Sequence, residues 1–445
     1  MPIRDILLTL IVVGSLPMIL RRPFVGLLVW SWLSYMNPHR LVWDFAYGQP
    51  FAQVVAIVTI IGILFSSETK KIPWSPTLTI WISLVGWTCI TTFFAIDPER
   101  SQYEFELFLK IQFMTLLTLM LINSRERLIM VVWVIVASLG FYGLKGGVFT
   151  ILTGGKYQVL GPEQSFIEGN NELSFALIMT LPLIQFLRLN SKSKWIRLGL
   201  LVSLGLFAFS IVGSQSRGAF LAAAAMALFM FFRSRRKFLL GLGTAIAILA
   251  IVMFMPAEWF ERMETIKNYE QDGSAMGRIN AWRFAVNLAM DRPLVGGGFD
   301  TFTRPLFFQY APEPLDFHDS HSIYFEVLGE HGFVGLALFL GLFAMVWRQG
   351  SRIIKLCRDR LDLLWANDLA RMGQASMVGY AVGGAFLGRA YFDLYYHVLA
   401  IILITQVIAV KQCEAAVDPV LVAADLPQVP EGTPAGAAEK RRSVR

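Results

Sequence analysis

Three of the chain's five histidines fall within one short run, His318-Asp-Ser-His-Ser-Ile-Tyr-Phe-Glu-Val-Leu-Gly-Glu-His-Gly-Phe-Val-Gly-Leu336. Imidazole is the side chain best suited to take a proton near neutral pH. An apolar run of about 20 residues begins just after, long enough to enter a membrane. His321 stands at its mouth and is the candidate general base. His318 and Asp319 are expected to shape the helix entry. His331 lies roughly 280° further round a helix and is expected to pack, as are His39 and His397. His318, Asp319 and His321 also invite a metal reading. Their spacing is loose and no second cluster supplies further ligands, so no metal site is expected.

The second chemistry is cationic. Arg217 stands in Gly213-Ser-Gln-Ser-Arg-Gly-Ala-Phe-Leu221, a turn between two apolar runs that is too short to escape the membrane boundary. An arginine there either snorkels or works, and ionisable groups at membrane depth are functional by default. Arg278 lies in Gly273-Ser-Ala-Met-Gly-Arg-Ile-Asn-Ala-Trp282. Arg283, Arg292, Arg304 and Arg389 are further cations on the same face, as is Lys145 in Tyr142-Gly-Leu-Lys-Gly-Gly147. The planar guanidinium fork takes two oxygens at once, which suits a diphosphate. Arg217 and Arg278 are the main candidates. Lys145 and Arg389 are secondary candidates for the same anion.

These residues must be positioned by membrane helices. The 445 residues are 55% hydrophobic and 16% charged, with a mean hydropathy of +0.56. A soluble domain would carry about 25% charge. Apolar runs are read near 51–66, 75–95, 105–122, 128–151, 171–189, 197–213, 218–232, 238–255, 323–347, 369–388 and 394–411. In lipid such runs must be helices, because the backbone has to satisfy itself. Segment 5–36, interrupted by Arg21, Arg22 and Pro23, adds one broken passage or a tight hairpin, for about 12 spans in all. The expectation is an all-α polytopic membrane protein. The first run lacks a small-residue cleavage site, so no cleaved signal peptide is expected. Cys89, Cys357 and Cys413 are scattered and predict neither disulfide nor zinc.

Charge alternates between loops. Lys70-Lys71, Arg125 and Arg127, Arg188 to Arg197, Arg233 to Lys237 and Arg348 to Arg360 form a basic set, which should be cytoplasmic. The net charge of +7 therefore reads as a membrane face and not as a nucleic-acid surface. The other loops, 37–50, 96–104, 152–170, 214–217, 256–322 and 389–393, should face outward. A loop as long as 256–322 is usually functional. Its apolar runs and tryptophans predict amphipathic helices over the membrane surface. From about Glu414 to residue 445 the composition turns polar, which predicts a disordered cytoplasmic tail after a membrane domain spanning 1–413.

Three motifs carry a resemblance. His321-Ser322, nine residues, Gly332, two residues and Gly335 resembles the histidine motif of the bacterial O-antigen ligase family. Arg217-Gly-Ala-Phe-Leu221 is similar to that family's arginine motif. Gly277-Arg278, Trp282 and Arg292-Pro-Leu-Val-Gly-Gly-Gly298 are similar to the loop before the histidine in the wider ligase and polymerase superfamily. The likeness covers roughly residues 160–345, and the first 150 carry no clear motif. It implies a GT-C-like, metal-independent glycosyltransferase of the bacterial inner membrane, with its active site facing the periplasm and no cofactor. The donor would be a glycan on undecaprenyl diphosphate, and the acceptor a sugar hydroxyl of lipid A–core. His321 would be the base, with Arg217 and Arg278 on the diphosphate. A polymerase or a protein glycan ligase of the same superfamily is the near alternative. A transporter or flippase is the distant one, although no repeated halves are visible. Gly332 and Gly335 are also read as a small-residue step for close helix packing.

Overall fold

The computed structural model describes residues 3–424, apart from 69, 235–236 and 265–272, with the backbone alone at 239–240, 247 and 416–424. Most of the expected tail, 425–445, lies outside the described residues. Among those described there are α-helices and short 3-10 turns but no strand. The helices are α1 (Ile3–Arg21), α2 (Pro23–Met36), α3 (Phe51–Phe65), α4 (Pro76–Phe93), α5 (Pro98–Leu121) and α6 (Arg125–Thr153). Then come α7 (Asn170–Asn190), α8 (Lys194–Gly213), α9 (Arg217–Arg233), α10 (Lys237–Phe254) and α11 (Ala257–Glu264). The last five are α12 (Gly273–Asp291), α13 (Arg304–Tyr310), α14 (Ile323–Leu356), α15 (Leu364–Gly383) and α16 (Asp393–Ala424).

Each of the eleven apolar runs is one helix. Their starts carry ordinary stop-and-start chemistry. Ser75, Ser124, Ser193 and Ser216 each accept a hydrogen bond from the third helical N–H, which satisfies one of the orphan donors of the first turn. Pro23, Pro76 and Pro98 begin α2, α4 and α5, where a missing N–H costs nothing. Segment 5–36 forms a hairpin. The buried Asp5 at the start of α1 accepts from the N–H groups of Asp44 and Ala46, which follow α2.

Seven helices are long and apolar enough to cross a membrane among the described residues, or eight if α10 and α11 count as one bent span. The expectation of about 12 was larger because it accepted shorter or more polar helices. α2, α3 and α9 hold 14, 15 and 17 residues. α5 opens with Glu99, Arg100, Glu104 and Glu106. α7 and α16 are buried almost throughout and form the centre of the bundle.

The loops assigned to one face meet at one end of the bundle. Val159 N–H donates to the Gly213 carbonyl and the Asn170 side chain to the Ser214 carbonyl. Ile96 N–H donates to Gly297, and Ile323 N–H to Gly384. The long loop is no linker. Its helices α12 and α13 enclose a small core in which Phe284 stacks on Phe307 at 4.5 Å between ring centroids and tilts against Phe302. Each buried phenylalanine contributes roughly 2 kcal/mol by leaving water.

α14 is broken at Gly332, whose φ of 66° and ψ of −169° lie outside the helical region. The break orphans the carbonyls before it, and other segments satisfy them. Gly297 N–H donates to Gly329 O at 2.8 Å, Gly298 N–H to Glu330 O at 2.9 Å, and Trp87 Nε1 to His331 O at 3.1 Å. In return Phe333 N–H donates to Pro293 O at 2.9 Å. The step Gly332–Gly335 therefore does more than let neighbours pack closely. Gly332 supplies the positive φ, and a Cβ on it would lie 2.5 Å from the Leu294 carbonyl oxygen. A Cβ on Gly335 would lie 2.2 Å from His331 Cβ, folded towards it by the kink.

Gly332→Ala combines a forbidden backbone with that clash and is expected to cost about 3 kcal/mol or more. Thermal unfolding of the purified protein checks this. A variant as stable as the parent would show that the break is not fixed by Gly332.

Candidate active site

The turn between α8 and α9 presents Arg217. A side chain at Gly213 would collide with Thr150 Oγ1, so the end of α8 lies directly on α6. Gln215 takes a left-handed φ of 55°, and its amide donates to the Gly155 carbonyl at 3.1 Å. Ser216 caps α9, which makes Arg217 the first helical residue. α12 presents Arg278 from the long loop. Gly277 before it is filled by the His318 ring, which a Cβ would meet at 2.3 Å.

Arg217 and Arg278 line one cavity of about 120 Å³, at the end of the bundle where the loops meet. Arg262 of α11 lines it as well, with Asn171, Gln215 and Phe386. The three guanidiniums come from separate elements and lie close enough for their charges to interact. Burial, and then the charge of Arg217, holds the Arg278 guanidinium below its ordinary proton affinity. Its Nε is buried without a hydrogen-bond partner.

His321 sits in a left-handed conformation, φ 41°, rare for a residue with a Cβ. Its neighbours hold that backbone on both sides. Trp282 Nε1 donates to the Ser320 carbonyl at 2.9 Å, and the Trp282 ring stacks on Phe325 at 5.0 Å. Ile323 N–H donates to Gly384 at 2.8 Å. The imidazole is held below the ordinary histidine range by burial, while Asp319 raises it and Arg278 lowers it. Glu172 raises it too. Burial thus keeps the ring neutral at neutral pH and lowers its affinity for a proton.

The secondary cations do not line the arginine cavity. Arg389 Nη2 lies 3.6 Å from Glu172 Oε1, and neither residue lines the arginine cavity. Lys145 is on the exposed face of α6 beside Leu144 and Val148, and it does not line the cavity either. Arg292 donates to the Phe94 carbonyl, and Arg304 lies over the Phe317 ring. His331 is fully buried, with Thr91 Oγ1 at 2.7 Å from Nδ1 and the Tyr391 hydroxyl at 2.9 Å from Nε2. Tyr391 also donates to Glu330, whose other oxygen accepts from Asp300 N–H at 2.8 Å. His318 Nδ1 lies 3.1 Å from Asp316 Oδ1. No group of three or more His, Cys, Asp or Glu among the described residues could hold a metal ion.

A family model described as O-antigen ligase matches residues 202–340. The match spans Arg217, Arg278, His321, Gly332 and Gly335. This part of the chain is an O-antigen ligase family domain. A family of unknown function matches residues 3–192, which takes in the first 150 residues, where no clear motif was visible. No curated protein matches the chain. The match supports a glycosyltransferase-like enzyme of the ligase and polymerase superfamily, a family whose partners in general are a lipid-linked glycan and a lipid acceptor.

Sequence reasoning missed Arg262 and Glu172. Arg262 follows Trp259 by one helical turn, but that spacing does not show the bend that brings it to the cavity.

His321 is expected to titrate below the ordinary 6.5. Asp319→Asn removes a charge that favours the imidazolium, so the titration should fall further, and Arg278→Gln should raise it. NMR titration of isotope-labelled histidines reads both shifts. A parent value at or above 6.5, or unshifted variants, would contradict the assigned surroundings.

Proposed function

We propose that the chain is an O-antigen ligase that transfers a glycan from undecaprenyl diphosphate to a sugar hydroxyl of lipid A–core, on the periplasmic side of the inner membrane. One observation carries the reading. Arg217 and Arg278, from elements far apart in sequence, line a single cavity, and the charge of Arg278 also acts on His321. A diphosphate leaving group and the base that deprotonates its attacker need that proximity.

In this reading the acceptor hydroxyl loses its proton to His321 as its oxygen bonds to the anomeric carbon of the donor sugar. The bond from that carbon to the phosphate oxygen breaks, and the electron pair leaves with the lipid diphosphate. Arg217 and Arg278 stabilise the charge that accumulates there, the largest single term in such catalysis. The phosphoanhydride-activated lipid already contains the leaving group, so no nucleotide is required. Direct attack inverts the anomeric configuration. Lys145 and Arg389 stand outside the cavity, so the proposal leaves the diphosphate to the two arginines.

Purified protein in nanodiscs, supplied with the lipid-linked glycan and lipid A–core, should form lipopolysaccharide. His321→Ala should abolish transfer with the fold retained, and Arg217→Ala or Arg278→Ala should each slow it roughly 10²–10³-fold. Product only with a second lipid-linked glycan as acceptor would make the chain a polymerase, and product only with a protein acceptor a protein ligase. Retained anomeric configuration would exclude direct displacement by the acceptor.

A further inference from the structure

Residues 384–392 connect α15 to α16 and lie outside the matched regions 3–192 and 202–340. They touch both halves of the site. Phe386 and Leu387 line the arginine cavity. Phe386 also packs on the start of α9, where a Cβ on Gly218, the residue after Arg217, would stand 3.0 Å from Phe386 Cβ. Two residues further on, Gly388 lies against the histidine. A Cβ on Gly388 would stand 2.9 Å from Ser320 Oγ, 3.5 Å from the His321 backbone nitrogen and 3.6 Å from Glu326 Oε2.

The connector is pinned on both sides of that contact. At its start the Gly384 carbonyl accepts from Ile323 N–H at 2.8 Å. Towards its end Ala390 N–H donates to Glu326 Oε2 at 2.9 Å, and the buried Tyr380 hydroxyl donates to the Ala390 carbonyl at 3.1 Å. Leu387 and Ala390 are themselves buried. A side chain at Gly388 would therefore be relieved by movement of Ser320 and His321 and not by retreat of the connector. His321, with φ of 41°, has few conformations to which it could move. Ser320 Oγ is buried and has no hydrogen-bond partner among the described residues, so its hydroxyl holds nothing in place.

We propose that residues 384–392 are the spacer between Arg217 and His321, with Gly388 as the positioning residue that sets the place of the histidine. Phe386 abuts the helix start that carries Arg217, and Gly388 lets the Ser320–His321 backbone come closer than any side chain would allow. This rests on the roles given above to Arg217 and His321 and adds the element that fixes one relative to the other. Gly388 touches no substrate; it acts through His321. Misplacing a reacting group by about 1 Å costs roughly 10²-fold in rate, so a shift of a few tenths of an ångström is enough to read.

The histidine NMR spectrum of the full-length protein in nanodiscs tests the spacer without any transfer reaction, and turnover of lipid-linked glycan and lipid A–core tests its consequence. Gly388→Ala should move the His321 imidazole resonance, identified by its loss in His321→Ala. It should also lower kcat about ten-fold with KM for both substrates unchanged. Ser320→Ala removes the atom that the new Cβ meets. Alone it should leave resonance and kcat close to the parent, and combined with Gly388→Ala it should restore both. A parental resonance in Gly388→Ala, a loss that Ser320→Ala does not restore, or a raised KM with unchanged kcat overturns the spacer. Should Gly388→Ala alone fail to fold, the double variant decides. Folded with the parental resonance it upholds the proposal, and unfolded it overturns it. A parent that transfers no glycan overturns the proposed reaction, while the histidine spectrum still decides whether Gly388 sets His321.

Discussion

The end of the bundle that carries the site depends on how a broken membrane helix repairs its backbone. A carbonyl without a partner is expensive anywhere water is scarce. The break at Gly332 releases three of them, on Gly329, Glu330 and His331, and each is met from outside the helix. Two of the donors are the backbone amides of Gly297 and Gly298, so the loop following α12 is tied to α14 at the kink. Gly298, with φ of 90°, could carry no Cβ there, because Ala95 stands 2.4 Å from where it would be. α12 packs on the same helix ahead of the kink, and it brings Arg278 and Trp282. Trp282 in turn fixes the Ser320 carbonyl beside His321. The relative placement of His321 and Arg278 thus descends from hydrogen bonds made some ten residues away.

A second network braces the same kink from its other side. Glu330, Tyr391, His331 and Thr91 join α14 to α4 and to the segment before α16. Every one of these groups is buried or half-buried, so losing one partner would strand the next. This explains why His331 shares a motif with His321 without sharing its chemistry. One histidine stands at a boundary with a strained backbone, and the other is consumed by two hydrogen bonds in the core.

Most of the helices were legible in the sequence, because a long apolar run in a chain this poor in charge has little choice but to be a helix. Their count as membrane spans was less legible, since length and polarity place α2, α3, α5, α9 and α15 below a strict crossing criterion while they still form the bundle. The arginine motif and the loop motif led to the same cavity, because Arg217 stands where positive charge is not expected and Arg278 follows a glycine. Gly332 and Gly335 were read as a packing step, which leaves out the positive φ that Gly332 supplies. Small size is visible in a sequence, whereas a positive φ is not. Arg262 was invisible for a related reason. Its value comes from the bend between α10 and α11, a tertiary feature that residue spacing does not record.

The electrostatics give the site an internal order. Arg278 bears on the cavity and on His321 together. Its positive charge lowers the affinity of the imidazole for a proton. An anion seated among the arginines would cancel much of that charge at short range, where screening by salt is weak. The restraint on His321 would then ease, and the ring would become a stronger base only when a leaving group is in place. Before that moment the ring is neutral but a poor proton acceptor, held so by burial. An acceptor hydroxyl arriving first would meet little driving force for proton transfer, and a water molecule would meet no more. Under the proposed function, shared use of one guanidinium by the diphosphate and by His321 would thus be a physical means of making deprotonation wait for the donor.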